Sequence, residues 1–235
     1  MAAAEHSSPA KKSDLGVRTL SAIVMLAIAV GAAWLGGVWL DGFIALVALA
    51  ALAEFVVIVS KAGFSPITRL LATLLGAAYL LLAAVMLIEM EVLFLVFVVV
   101  LVIGIDVGAY LVGRKFGRHK IAPAISPGKS WEGLAGAMLV SGLLGFLAIF
   151  WVVSMAAAFS NSQFGPDWGT IAIGTLICAL LAVVAQAGDF LESWLKRRAG
   201  VKDSSKLIPG HGGIFDRIDG LIPVAIVAGF AEHWL

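Results

Sequence analysis

Between Asp189 and Asp219 an otherwise apolar chain carries five acids, Asp189, Glu192, Asp203, Asp216 and Asp219. The same stretch carries six bases, Lys196, Arg197, Arg198, Lys202, Lys206 and Arg217. A Pro-Gly-His-Gly-Gly run from Pro209 to Gly213 lies between the acid groups. Proline and glycine there predict a tight backbone path that a plain connector would not need. Asp189 and Glu192 are three apart, as are Asp216 and Asp219, and on a helix such a pair shares one face. Two acid pairs joined by a turn could close around one or two Mg²⁺ ions, whose shells are completed by phosphate oxygens and water. Interleaved lysine and arginine suit the phosphates themselves. The predicted chemistry is therefore a divalent cation and a polyanion held together.

A second polar stretch runs from Asp106 to Gly133. Asp106 sits near the inner end of an apolar run, where a carboxylate is expensive and is a functional candidate by default. Gly104 and Gly108 flank it at helical spacing, so a neighbouring helix can approach closely. Glu54 is a candidate of the same kind, read as structural. Ser126 to Ser130 resembles the end of a phosphate-binding P-loop. It is not one, because Pro123 stands where that motif needs glycine. Ser130-Trp131-Glu132-Gly133 opens a helix, where backbone N–H groups and Lys129 can meet an anion.

These groups need elements to hold them. The chain has 235 residues, 61% of them hydrophobic and 13% charged, with a mean hydropathy of +1.05. Soluble domains are about half apolar and about one quarter charged. The chain is read as an all-α polytopic transmembrane bundle of about seven spans. The apolar runs are continuous, unlike the alternating segments of a β-barrel. With about 20 apolar residues needed per span, the expected spans cover 17–35, 42–59, 67–88, 92–112, 131–153, 169–188 and 220 to the end. Residues 1–16 read as a disordered polar tail, and 17–235 as a single catalytic domain. The apolar run after the tail is long enough to span and is read as retained rather than as a cleaved leader.

All 16 lysines and arginines fall in the tail with the first helix entry, or in the second, fourth and sixth loops. The positive-inside rule then puts the amino terminus and those loops in the cytoplasm, and the carboxyl terminus outside. Trp34, Trp39, Trp151, Trp168 and Trp234 fall at outer helix ends, and Trp131 and Trp194 near inner ones, as an aromatic belt predicts. The single cysteine, Cys178, can form no disulfide within the chain. The basic loops lack interleaved aromatics, which argues against nucleic acid as a partner. Small residues on several spans leave room for a homodimer.

Ser193, Leu195, Lys196 and Arg197, then Lys202, Asp203 and Ser205, then Ile208, Pro209, His211, Gly212, Gly213, Ile214, Asp216, Arg217, Ile218 and Asp219 form a signature. In these positions the chain resembles the phosphatidate cytidylyltransferase (CDP-diacylglycerol synthase) family. The stretch from Asp106 to Gly133 is similar to that family's second region. The resemblance implies an integral membrane enzyme that joins CTP and phosphatidate into CDP-diacylglycerol and pyrophosphate in phospholipid biosynthesis. It implies Mg²⁺, with a second cation possible, and a multi-pass location in the inner (plasma) membrane with the site on the cytoplasmic side. It assigns the metal to Asp189 and Asp216, and a catalytic set to Lys202, Asp203, His211, Arg217 and Asp219. Substrate binding falls to Asp106, Ser126, Lys129, Ser130, Glu132, Glu192, Lys196, Arg197, Ser204 and Lys206. The chain is short for that family, so an amino-terminal span or two is expected to be missing. Two other classes compete. A transporter would use Asp106 and Glu54 but has no need for two acid pairs in one loop. Another membrane lipid phosphotransferase, such as a polyprenol kinase or a CDP-alcohol phosphotransferase, is the second; the latter's Asp-Gly-x-x-Ala-Arg run is absent from the sequence.

Overall fold

The structure, a computed structural model, describes residues 10–159 and 166–234. The side chains of most of the expected tail, and that of Trp234, lie outside the described residues. Among the described residues eight helices follow in order: α1 (Ala10–Leu35), α2 (Gly37–Lys61), α3 (Pro66–Glu89), α4 (Val92–Phe116), α5 (Trp131–Phe159), α6 (Trp168–Arg198), α7 (Phe215–Ile218) and α8 (Leu221–Trp234). Six are long and apolar enough to cross a membrane, and the apolar part of α8, Leu221–His233, is shorter. The chain is therefore an all-α polytopic bundle in class: the first six expected spans fall in the six long helices, and the seventh falls in the shorter α8.

Local chemistry explains several helix starts. Pro66 opens α3 and Ser65 caps it, its hydroxyl accepting from the amide of Thr68 at 3.2 Å. Asp167 caps α6, accepting from the amides of Gly169 and Thr170. Ser130 precedes α5, and its hydroxyl accepts from the amide of Gly133. The helix α6 runs ten residues beyond the span expected to end at 188, so Asp189, Glu192, Lys196 and Arg197 all stand on one continuous helix.

A small antiparallel hairpin joins α4 to α5: β1 (Lys120–Ala122) pairs with β2 (Ser126–Ser130). The sequence predicts only a loop there. The pairing is short and irregular, with Lys120 opposite Ser130 and Ala122 opposite Ser126. Arg197 Nε donates to the carbonyl of Ile125 at 3.2 Å, so the hairpin is tied to the end of α6.

Two apolar cores hold the bundle. One gathers α4, α5, α6 and α8 around Leu101, Ile105, Ala137, Ala182 and Val224. Glycine lets α4 and α5 meet closely. A Cβ on Gly108 would stand 2.8 Å from the carbonyl oxygen of Gly136 and 2.9 Å from Val140 Cγ2. The second core gathers Ala51, Phe55, Ile58 and Val59 of α2 with Leu80, Leu195, Phe215 and Ile222. Phe55 and Phe215 meet edge to face, centroids 5.8 Å apart. This contact docks the one-turn helix α7, and with it the acids Asp216 and Asp219, onto α2.

Candidate active site

The chain from Ala199 to Ile214 folds into a loop whose path depends on glycine. Gly210 and Gly212 have φ of +75° and +84°, a region that other residues enter only with strain. Ile208 and Gly212 pair across the turn, the Ile208 amide donating to the Gly212 carbonyl at 2.8 Å. His211 is fixed in place by its neighbours. Its Nδ1 lies 2.8 Å from the Ser21 hydroxyl of α1, and its carbonyl accepts from the Arg217 guanidinium.

Three carboxylates converge beneath this loop. One oxygen each from Asp189, Glu192 and Asp219 lie within 4.8 Å of one another. Asp189 and Glu192 come from one face of α6, as their spacing predicts, and Asp219 comes from the turn between α7 and α8. Gly188 makes the approach possible. A Cβ there would stand 2.7 Å from Pro223 Cγ and would overlap the Asp219 carbonyl. Glu192 is 2% exposed, and its Oε1 has no hydrogen-bond partner among the described residues. A buried carboxylate oxygen of this kind costs free energy unless something occupies it. Burial, and then the negative charge of Asp189, push the Asp219 carboxyl up from its ordinary value. Crowded acids with an orphaned oxygen are the donor set that a hard divalent cation fits.

Asp216 stands apart from this trio. Its Oδ2 accepts from the Ser204 amide at 2.8 Å and the Gly213 amide at 2.9 Å, and lies 2.9 Å from the Ser204 hydroxyl, whose one proton it shares with Glu54 Oε2. Its Oδ1 takes the Lys196 ammonium at 2.6 Å. Burial opposes its charge, but the hydrogen bonds it accepts, from Lys196 and from the Gly213 and Ser204 amides among others, outweigh that and hold its carboxyl well below the usual range. Lys196 also reaches Glu192 Oε2 at 2.7 Å, so one ammonium bridges the trio to Asp216. Of the two residues assigned to the metal, Asp189 belongs to the trio, while Asp216 spends both oxygens on the loop and on Lys196.

The other expected residues divide. Lys129, on β2, forms an ion pair with Asp189 and lies 4.9 Å above the Phe190 ring, so the second polar stretch does reach the first. Asp106 of α4 lies within electrostatic reach of Asp189, Lys129 and Arg217. Lys202, Asp203 and Lys206 are exposed on the loop. Ser204 is buried inside it, and Arg197 holds the hairpin as described. Ser126 begins β2, and Ser130 serves α5. Glu132 faces elsewhere. It accepts from the amide of His119 and lies 2.6 Å from that residue's Nδ1, in an open cleft of about 890 Å³ lined by Arg118, Lys120 and Trp131. None of that cleft's lining residues belongs to the trio.

Two contributors were not placed in the site from sequence. Ser21 holds His211, and no spacing in the sequence links them. Glu54, a structural acid by its sequence context, does bind the loop, through partners 150 and more residues away.

Residues 65–233 match the model of the cytidylyltransferase family. The chain belongs to that family. The match takes in both polar stretches, the trio, Lys196 and the loop, and leaves α1 and α2 outside it. Among relatives, the phosphatidate cytidylyltransferase of Haemophilus influenzae is 46% identical over 127 residues, 54% of this chain and 41% of its own length. That of Pseudomonas aeruginosa is 44% identical over 140 residues, 58% of this chain and 47% of its own. That of Mycobacterium tuberculosis is 42% identical over 127 residues, 54% of this chain and 34% of its own. The matched stretch thus spans less than half the length of each of these relatives.

Proposed function

We propose that this protein transfers CMP from CTP to phosphatidate, giving CDP-diacylglycerol and pyrophosphate. The observation that carries this is the meeting of Asp189, Glu192 and Asp219 beside the signature loop, with an orphaned Glu192 oxygen among them. The names of the matched relatives support the same substrates.

The phosphate of phosphatidate is a phosphomonoester with a second pKa of about 6, so near neutral pH it is largely a dianion. One of its oxygens can form the new bond to the α-phosphorus of CTP. The bond from that phosphorus to the α–β bridging oxygen breaks, and pyrophosphate leaves. No proton has to be removed from the nucleophile, so no strong general base is required. The engagement of His211 Nδ1 with Ser21 fits a role in holding the loop. The difficulty is the repulsion between a dianion and a triphosphate. Mg²⁺, held by Asp189, Glu192 and Asp219, would neutralise phosphate charge. Lys202 and Lys206 on the exposed loop, and Lys129 from the hairpin, supply further positive charge and orientation. Lys196 keeps the buried Glu192 and Asp216 paired. The bundle explains the lipid substrate: acyl chains remain in the bilayer while the head group enters from the side bearing the basic loops. By the distribution of Lys and Arg that side is cytoplasmic, and the family resemblance implies the plasma membrane.

Purified protein in detergent, given labelled CTP and phosphatidate, is expected to form labelled CDP-diacylglycerol only when Mg²⁺ is present. CTP turnover that yields no liponucleotide, or that proceeds unchanged in a chelator, would remove this function.

A further inference from the structure

We propose that Glu54, on α2 and outside the family-matched residues, is a positioning residue that sets the geometry of the loop from Lys202 to Asp216. Glu54 is 7% exposed, on a helix whose other buried side chains are apolar. A carboxylate there is costly unless its oxygens are filled. Both are filled by the loop. Oε1 accepts from the Ser205 hydroxyl at 2.6 Å and from the Ile214 amide at 3.1 Å. Oε2 accepts from the Ser204 hydroxyl at 2.8 Å and from the Phe215 amide at 2.8 Å.

The four donors come in two pairs, one from each side of the loop. Ser204 and Ser205 enter it; Ile214 and Phe215 leave it and begin α7. Each Glu54 oxygen takes one donor from each side. The carboxylate therefore closes the loop into a ring, with the Pro209–Gly213 turn as its far end. Gly213 leaves room for this carboxylate: a Cβ there would stand 2.7 Å from Glu54 Cδ and would overlap the Ser204 hydroxyl. Phe55, the next residue on α2, packs on Phe215, so the apolar and polar contacts fix the same turn. Helix α7 sets the direction of Asp216 and Arg217, and Asp219 follows it directly into the trio. Glu54 thus acts on the site through the loop and touches none of the trio.

The activity arm of the test rests on the proposed function; the structural arm does not. Full-length wild type, Glu54→Gln, Glu54→Ala and Ser205→Ala would be purified in detergent. Amide hydrogen exchange of the segment 203–216 would be followed with helical content and thermal midpoint. Glu54→Gln is isosteric but turns an NH₂ group toward two of the four donors. It is expected to speed exchange at Ile214 or Phe215 by about tenfold, with helices α3 to α6 protected as in wild type. Its kcat is expected to fall by up to about 10²-fold, with a much smaller change in KM for CTP. Glu54→Ala should exceed it in both effects and Ser205→Ala should fall short of it. If Glu54→Ala does not fold, the Gln and Ser205 variants carry the comparison. Wild-type exchange across 203–216 in Glu54→Gln would overturn the proposal. So would faster exchange with unchanged kcat. A wild type that fails to turn over CTP and phosphatidate would sink the function while leaving the exchange result to decide on Glu54.

Discussion

Lys196 Nζ lies 2.6 Å from Asp216 Oδ1 and, on its other side, 2.7 Å from Glu192 Oε2. The three side chains are 13%, 8% and 2% exposed, so this is a buried acid–base–acid bridge between α6 and α7. Removing a buried cation strands its partners, at a cost of about 3–5 kcal/mol. Lys196→Met is therefore expected to lower the thermal midpoint sharply in detergent and to lose turnover. Lys196→Arg, which keeps the charge, should retain most of the stability. A Lys196→Met protein as stable as wild type would show that the bridge contributes nothing.

Asp189, Glu192 and Asp219, rather than Asp216, are expected to govern cation affinity. Asp189→Asn and Asp219→Asn should each weaken Mn²⁺ binding, read by electron paramagnetic resonance, by about tenfold or more. Asp216→Asn should change Mn²⁺ affinity less and thermal stability more, because its oxygens serve Ser204, Gly213 and Lys196. Chelation should abolish turnover, and added Mg²⁺ should restore it. Equal loss of Mn²⁺ affinity in all three variants would put Asp216 among the ligands.

Gly188 is where α6 and the Asp219 turn touch. Gly188→Ala inserts a methyl against backbone and against the Pro223 ring, neither of which can swing away. Overpacking of this kind costs about 1–3 kcal/mol. The shift falls on Asp219, so cation affinity should drop along with stability. Gly104→Ala, which meets the movable tip of Leu144, is expected to leave cation affinity as in wild type.

The start of α6 gives a dependence on pH. The Thr170 hydroxyl, then the Gly169 and Thr170 amides, hold the Asp167 carboxyl below its ordinary value. A carboxylate whose pKa is lower folded than unfolded contributes stability above the unfolded value, about 3.9. That contribution fades as the pH falls through the lower native value. The difference in thermal midpoint between wild type and Asp167→Ala should be full near neutrality and close in acid. A gap that stayed constant down to the lowest accessible pH would mean that the cap does not depend on charge.

Much of this was legible in the sequence because it is local. Long apolar runs can satisfy their backbone polar groups in lipid only as helices, and the six long spans follow. The third and sixth expected spans begin at 67 and 169, each one residue from the start of its helix, Pro66–Glu89 and Trp168–Arg198. The three-residue spacing of Asp189 and Glu192 puts them on one face because helix geometry leaves no alternative. The two acid pairs were likewise expected to meet from different elements; Asp219 of the second pair does meet the first, and Asp216 is taken by Ser204, Gly213 and Lys196.

Which acid of the second pair completes the trio was decided only in three dimensions. Asp216 and Asp219 differ by three residues, yet the contact at Gly188 brings Asp219 to α6 while the folded loop claims Asp216. Such contacts join residues far apart in the chain, and neither composition nor periodicity encodes which of them pack together. Glu54 gives the clearest case. Along the sequence it is a lone acid in an apolar helix; in the fold it receives both sides of a loop 150 to 161 residues away. A buried carboxylate has to find its donors wherever packing places them, and that placement is a property of the assembled bundle.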